Sequence, residues 1–160
     1  MTIFGKKLSE YVAFQKGVLA VIVAVGILRL VLSLAGVADS ATRWISMTAV
    51  GIASLVYYGV TVHTKGFGTY RHLLPLLVIQ GVVSNLLVIV GILISAGTGK
   101  PNIFTAPEYG GNASVPIHIA GHLVFGMIVG PLIGWAISSL IMLITKKVKG
   151  APKPATTATA

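Results

Sequence analysis

Long apolar stretches separated by short polar segments dominate the chain. A helix needs about 20 mostly apolar residues to cross the hydrocarbon layer of a membrane, and residues 17–35, 44–62, 73–95 and 117–144 meet this requirement. These stretches lack the strict alternation of barrel strands, whereas helices satisfy their own backbone hydrogen bonds in lipid. The pattern predicts an all-α membrane protein built as a four-transmembrane-helix bundle.

The segments outside the spans predict two peripheral regions. Residues 1–16 place apolar side chains at helical spacing among lysines, which favours an amphipathic helix lying at the membrane surface. Residues 145–160 are basic and then low in sequence complexity, which is typical of a disordered tail. The predicted organisation is therefore an interfacial N-terminal helix, a transmembrane domain over residues 17–144, and a disordered tail.

The composition agrees with a membrane protein and narrows its chemistry. Hydrophobic residues make up 55% of the chain and charged residues only 9%, whereas soluble domains carry about a quarter charged residues. The chain has no cysteine, which excludes disulfides, thiolate metal sites and cysteine nucleophiles. It also lacks a phosphate-binding loop and paired intramembrane carboxylates. A non-enzymatic protein is therefore favoured over an enzyme.

The basic residues predict an orientation in the membrane. The net charge of +9 would suggest nucleic-acid binding in a soluble protein, but here it follows from the loops. One predicted side holds Lys6, Lys7, Lys16, Lys65, Arg71, Lys146, Lys147, Lys149 and Lys153, and the other holds Arg43 and Lys100. The positive-inside rule then places both termini in the cytoplasm, where the basic face would meet anionic lipid headgroups. Composition and short loops favour a bacterial inner (plasma) membrane, and no nucleic-acid partner is expected.

A row of small and polar residues repeats every four positions in the fourth span. The row consists of His118, His122, Gly126, Gly130, Gly134 and Ser138. Such spacing places the residues along one side of a helix, and glycines let a second backbone approach closely in lipid. The row predicts helix packing, either within the chain or at the seam of a homo-oligomer or larger membrane complex. Pro131 lies inside the row and predicts a bend.

The two histidines of this row are the candidate metal ligands. Two His residues four apart on a helix can hold one transition metal, and Glu108 is the acidic residue nearest in the preceding loop. The helix has no glutamate that would serve as the general base of a metalloprotease. Haem ligation by a single histidine, pH sensing and plain interfacial hydrogen bonding remain open as alternatives.

Arg29 and two amides form a second candidate site. An arginine near mid-bilayer costs at least about 2.5–3.5 kcal/mol on insertion scales, so Arg29 must reach the interface or face protein or water. Gln80 and Asn85 lie within the third span. Intramembrane amides usually form interhelical hydrogen bonds of about 0.6–2 kcal/mol. Together with Arg29 they could instead line a polar path for an anionic substrate.

Three functional hypotheses follow from these residues. The first is a non-catalytic helical-bundle subunit, assembly factor or homo-oligomer, and it is favoured by the glycine row and the scarcity of catalytic groups. The second is a metal- or haem-binding redox protein centred on His118 and His122. The third is a small transporter or channel in which Arg29, Gln80 and Asn85 line the path.

Overall fold

The protein contains four helical spans that are long and apolar enough to cross a membrane, as the hydrophobic pattern predicted. The computed structural model describes residues 2–42 and 44–150, and of Asp39 only the backbone. The spans cover Leu8–Leu34, Ser40–Thr64, Tyr70–Thr98 and Val115–Lys149. The predicted disordered tail beyond residue 150 lies outside the described residues.

The elements follow one another with short connections. In chain order they are β1 (Thr2–Ile3), β2 (Lys6–Lys7), α1 (Leu8–Leu34), α2 (Asp39–Thr42), α3 (Met47–Thr64), α4 (Tyr70–Thr98), two 3-10 turns (Ile103–Thr105 and Pro107–Tyr109), α5 (Val115–Gly121), a π-helical segment (His122–Val129) and α6 (Gly130–Lys149). We refer to the π-helical segment below as the π segment. Together α5, the π segment and α6 form the fourth span.

The N-terminal segment differs from the predicted interfacial helix. Residues 2–7 form a hairpin, since β1 and β2 pair antiparallel through a tight turn in which Phe4 (φ 51°) and Gly5 (φ 87°) both have positive φ. Two consecutive positive φ values suit the two-residue turns of hairpins. The Lys7 N–H donates to the Glu10 carboxylate over 2.7 Å, and α1 continues unbroken from Leu8 into the membrane span. The prediction of a separate surface helix was wrong. The turn at Phe4 and Gly5 keeps residues 2–7 out of a helix, and the residues after Lys7 belong to the first span.

Pro131 produces the predicted irregularity in the fourth span. Proline has no backbone N–H, and its ring clashes with the carbonyl one turn before it. The preceding turns widen into the π segment, and the Gly130 N–H donates to the Phe125 carbonyl five residues back. Wide π turns inside α-helices are frequently found at functional sites. The fourth span is therefore widened over two turns before Pro131, and a bend there stays a prediction.

The two ends of the bundle have different characters. At one end the Tyr11 hydroxyl donates to the Ile3 carbonyl over 2.9 Å, and His63 Nε2 lies 2.8 Å from the Gly150 carbonyl oxygen. We call this the basic end; it comprises residues 2–7, 65–71 and 146–150. Both ends of the described chain therefore lie at the same end of the bundle.

The opposite end is covered by the connection that follows α4. Ile103 and Phe104 are buried there against Ile92 of α4. The Ile103 N–H donates to the Ser33 hydroxyl of α1 over 2.8 Å. We call this the capped end; it comprises residues 36–42, 44–46 and 99–114.

Helices α3 and α6 are in close contact. A Cβ added to Gly59 would lie 2.7 Å from Ile141 Cβ and 2.8 Å from the Ser138 carbonyl oxygen. The Ser138 hydroxyl, which is fully buried, donates to the Leu55 carbonyl over 3.1 Å. Lipid offers no hydrophobic drive for helix association, so close contacts and such hydrogen bonds must hold the two helices together.

Gly59→Ala is expected to destabilise the bundle by about 1–3 kcal/mol, the usual cost of forcing extra volume into a packed contact. The added methyl group would push α3 away from the backbone of α6. The free energy of unfolding, measured by denaturing-detergent titration, checks this. Gly97→Ala is the matched control, because nothing lies within 4 Å of its added Cβ; equal stabilities of the two variants would contradict the assigned contact.

Candidate functional site

A cavity of about 510 Å³ lies inside the bundle between the four spans. Its volume falls within the range of about 300–1,000 Å³ that small-molecule sites occupy. Most of its wall is apolar, and its polar lining residues are Arg29, Thr48, Gln80, Ser84, Asn85, Tyr109 and His122. The structure therefore brings the predicted polar path and one of the two predicted ligand histidines around a single space.

Arg29 is buried in the wall of this cavity without an acidic partner. Its side chain is 8% exposed. Its Nη2 donates to the Tyr109 hydroxyl over 3.1 Å, and its guanidinium centre lies 5.6 Å from the centroid of that ring. Its Nε is buried and makes no hydrogen bond. In the part of the chain that the structure describes, the only ion pair joins Lys6 and Glu10, so no carboxylate there neutralises Arg29.

Tyr109 is a site residue that the sequence reasoning missed. It lies 80 positions from Arg29, in the long connection between α4 and α5. The only signal available was the unusual length of that connection, since long connections are often functional. Nothing in the local pattern distinguishes Tyr109 from an ordinary interfacial tyrosine.

Gln80 is held across the bundle by α3. The Ser54 hydroxyl donates to Gln80 Oε1 over 2.8 Å, which is the interhelical role expected for an intramembrane amide. The Gln80 amide nitrogen has no partner among residues 2–42 and 44–150, and it lies 3.7 Å from the position of a Cβ added to Gly51, which also lines the cavity. The Ser54 hydroxyl also lies 2.5 Å from the Gly51 carbonyl oxygen, so its single hydrogen is shared between two acceptors. The Gln80 amide nitrogen is the group that this contact leaves at the wall.

Asn85, His122 and His118 form one directed chain of hydrogen bonds. Asn85 Nδ2 donates to the Gly81 carbonyl over 2.8 Å, so its Oδ1 is the acceptor for His122 Nδ1 at 2.8 Å. A neutral histidine with its hydrogen on Nδ1 has a lone pair on Nε2. His122 Nε2 lies 3.3 Å from His118 Nε2, which must therefore donate. The chain runs from the buried His118 to the backbone of α4.

Glu108 does not join the two histidines. Across the described ranges no group of three or more His, Cys, Asp and Glu side chains is placed to hold a metal ion. The two Nε2 atoms do face each other, and both could ligate one ion only if other groups completed its coordination. Metal or haem ligation by His118 and His122 stays a prediction.

The glycine row of the fourth span mainly faces the chain's own helices. A Cβ on Gly126 would overlap the Asn85 amide, and a Cβ on Gly134 would lie 3.1 Å from Leu55 Cδ2 of α3. Gly130 is exposed and lines the cavity instead. The missing side chain at Gly126 therefore makes the room that Asn85 needs to reach His122.

Comparisons of the chain with protein-family models, curated proteins and solved structures found no match.

Gly126→Ala is expected to displace the Asn85 amide and break its bond to His122. Overpacking of this kind typically costs about 1–3 kcal/mol, measured by denaturing-detergent titration. Most of this cost should disappear in an Asn85→Ala background, because the added methyl group would then meet no amide; such coupling is what a double-mutant cycle reports.

Gly121→Ala is the control for this cycle, since nothing lies within 4 Å of its added Cβ in the same span. Additive costs of Gly126→Ala and Asn85→Ala would show that the two residues do not share the contact.

Proposed function

We propose that the protein is an integral membrane binding protein that receives a small ligand with an apolar body and an anionic group. Arg29 carries this proposal: it is a buried cation without a carboxylate partner, and it lines a mostly apolar cavity. An isolated charge in low dielectric is costly unless it is paired. An anionic ligand would supply the missing partner.

The cavity chemistry suits such a ligand beyond its charge. Arg29 donates a hydrogen bond to Tyr109 through Nη2, and guanidinium groups bind carboxylates and phosphates through two parallel hydrogen bonds. The Gln80 amide offers further donors, while the remaining wall is mostly apolar. Few polar groups in an apolar pocket are the usual arrangement of small-molecule sites.

This proposal keeps the non-catalytic role expected from the sequence and changes the role of the polar residues. A transport path would need an opening at each end of the bundle. At the capped end, Ile103 and Phe104 are buried and form part of the cavity wall. Arg29, Gln80 and Asn85 are better explained as the wall of a binding site than as a continuous path.

The orientation and location of the protein also belong to this proposal: the basic end faces the cytoplasm of a bacterial cell, in the inner membrane. Cationic groups there lie over aromatic rings. Lys6 Nζ is 4.7 Å from the centroid of Phe67, and Lys146 Nζ is 4.1 Å from that of Tyr70. Lysines and aromatic rings at one level suit a membrane interface with anionic headgroups.

Arg29→Gln is expected to weaken binding of an anionic amphiphile by about 10-fold or more, because a hydrogen bond to a charged group contributes about 1.5–3 kcal/mol. The measurement is fluorescence titration with cis-parinaric acid at fixed detergent concentration. The methyl ester of this acid should bind both proteins equally, since it has no charge to pair with Arg29.

Arg71→Gln is the matched control, because it removes the same charge from an exposed position at the basic end. A wild-type protein that shows no saturable binding, or an Arg29→Gln variant that binds the acid as wild type does, would contradict the proposed function.

The orientation predicts that cysteines introduced at Thr2 and at Gly150 are both protected from a membrane-impermeant maleimide in intact cells. A cysteine at Asn112, in the capped end, should react. The chain has no native cysteine, so every label reports the introduced site. Labelling of Thr2→Cys but not Asn112→Cys in intact cells would reverse the orientation.

A further inference from the structure

The cavity opens sideways, between α3 and α6. Its most exposed lining residues include Ile52 of α3, 62% exposed, and Ile133 of α6, 57% exposed. Thr48 and Gly130 are also exposed on these two helices. The lining residues of α1 and α4 are buried or half-buried by contrast, and Arg29 is among the most enclosed. We call the gap between Ile52 and Ile133 the side mouth.

The side mouth exists because α3 and the fourth span separate toward the capped end. Near the basic end they touch closely at Gly59 and Ser138. Farther along, the π segment packs mainly against α4, and Asn85 fills the notch at Gly126. The fourth span is therefore drawn toward α4 and away from the first turns of α3.

At the capped end, the connection that follows α4 is fastened to the bundle by several contacts. The Asn102 amide donates to the Gly91 carbonyl over 2.7 Å, and the Phe104 ring lies directly over Gly91. Together with the bond from Ile103 to Ser33, these contacts tie the covering connection to both α1 and α4. Ile103 is 2% exposed, so the cover is packed rather than loose.

We infer that the ligand is a single-chain acid dissolved in the bilayer, such as a long-chain carboxylic acid, and that it enters through the side mouth. The inference rests on the proposed function and adds the ligand class and its route. The acid group would lie at Arg29, at the enclosed side of the cavity, and the chain would leave between Ile52 and Ile133. An opening bordered by isoleucines suits a hydrocarbon chain, because apolar surface gains by leaving water or by staying in lipid.

Photolabelling in phosphatidylcholine vesicles tests the route. The probe is palmitic acid with a diazirine near the middle of its chain, and the adducts are mapped by mass spectrometry. We expect saturable adducts at the side mouth, on α3 around Ile52 and on α6 around Ile133. These adducts should be lost with Ile52→Trp combined with Ile133→Trp, which fills the mouth, and with Arg29→Gln.

Val56→Trp combined with Leu132→Trp is the matched control. Both positions are exposed on the same two helices but do not line the cavity, so labelling at the side mouth should persist. Sodium acetate and inorganic phosphate should not displace the probe, because they lack the chain.

Four results would overturn the inference. Adducts spread evenly over the apolar surface, or unchanged by tryptophans at the mouth, would reject the route while Arg29-dependent binding of the acid still supports the proposed function. Displacement by acetate or phosphate would show that the site takes a water-soluble anion. A change from oligomer to monomer in the mouth variant, measured by light scattering, would show that a second copy covers the mouth.

Discussion

Pro131 has no backbone N–H, and this determines the shape of the region in which the polar residues of the cavity lie together. Without that donor the fourth span cannot keep regular α-helical bonding, and the π segment results. The widened turns bring Gly126 against α4, where its missing side chain makes room for the Asn85 amide. They also leave a gap beside α3. The cavity, the histidine chain and the side mouth all depend on this one interruption of regular helix bonding.

Most buried polar side chains of the described residues have a hydrogen-bond partner, either within their own helix or on another element. The hydroxyl group of Thr145 donates to the carbonyl four residues earlier, and Ser54 and Gln80 bond across two helices. Among the described residues, the buried side-chain nitrogens left without a partner are Gln15 Nε2 and Arg29 Nε. The oxygen of Gln15 still accepts from the Tyr58 hydroxyl. Arg29 differs because it is charged and lines a cavity.

The length of the apolar stretches alone predicted the four spans. A helix needs a minimum number of apolar residues to cross a membrane, and each stretch reaches that number by itself. The helical repeat placed Gly126 and Gly134 toward other helices, and the cost of a buried charge singled out Arg29. Local patterns failed where the outcome depends on distant partners. Tyr109 contacts Arg29, and Ser54 contacts Gln80, from other elements of the chain. No local periodicity therefore links the two members of either pair. The N-terminal hairpin was missed because its turn depends on positive φ at Phe4 and Gly5, whereas the spacing of the apolar residues indicated a helix.

The side mouth also has a position along the membrane normal. Ile52 and Ile133 lie near the middle of their spans, Ser40–Thr64 and Val115–Lys149, so the opening faces the central hydrocarbon of the membrane. An entrance at this depth would meet the acyl chains of both leaflets rather than their headgroups. A molecule would have to leave the headgroup level before it could enter, so the depth of the opening would select for ligands that can cross the hydrocarbon.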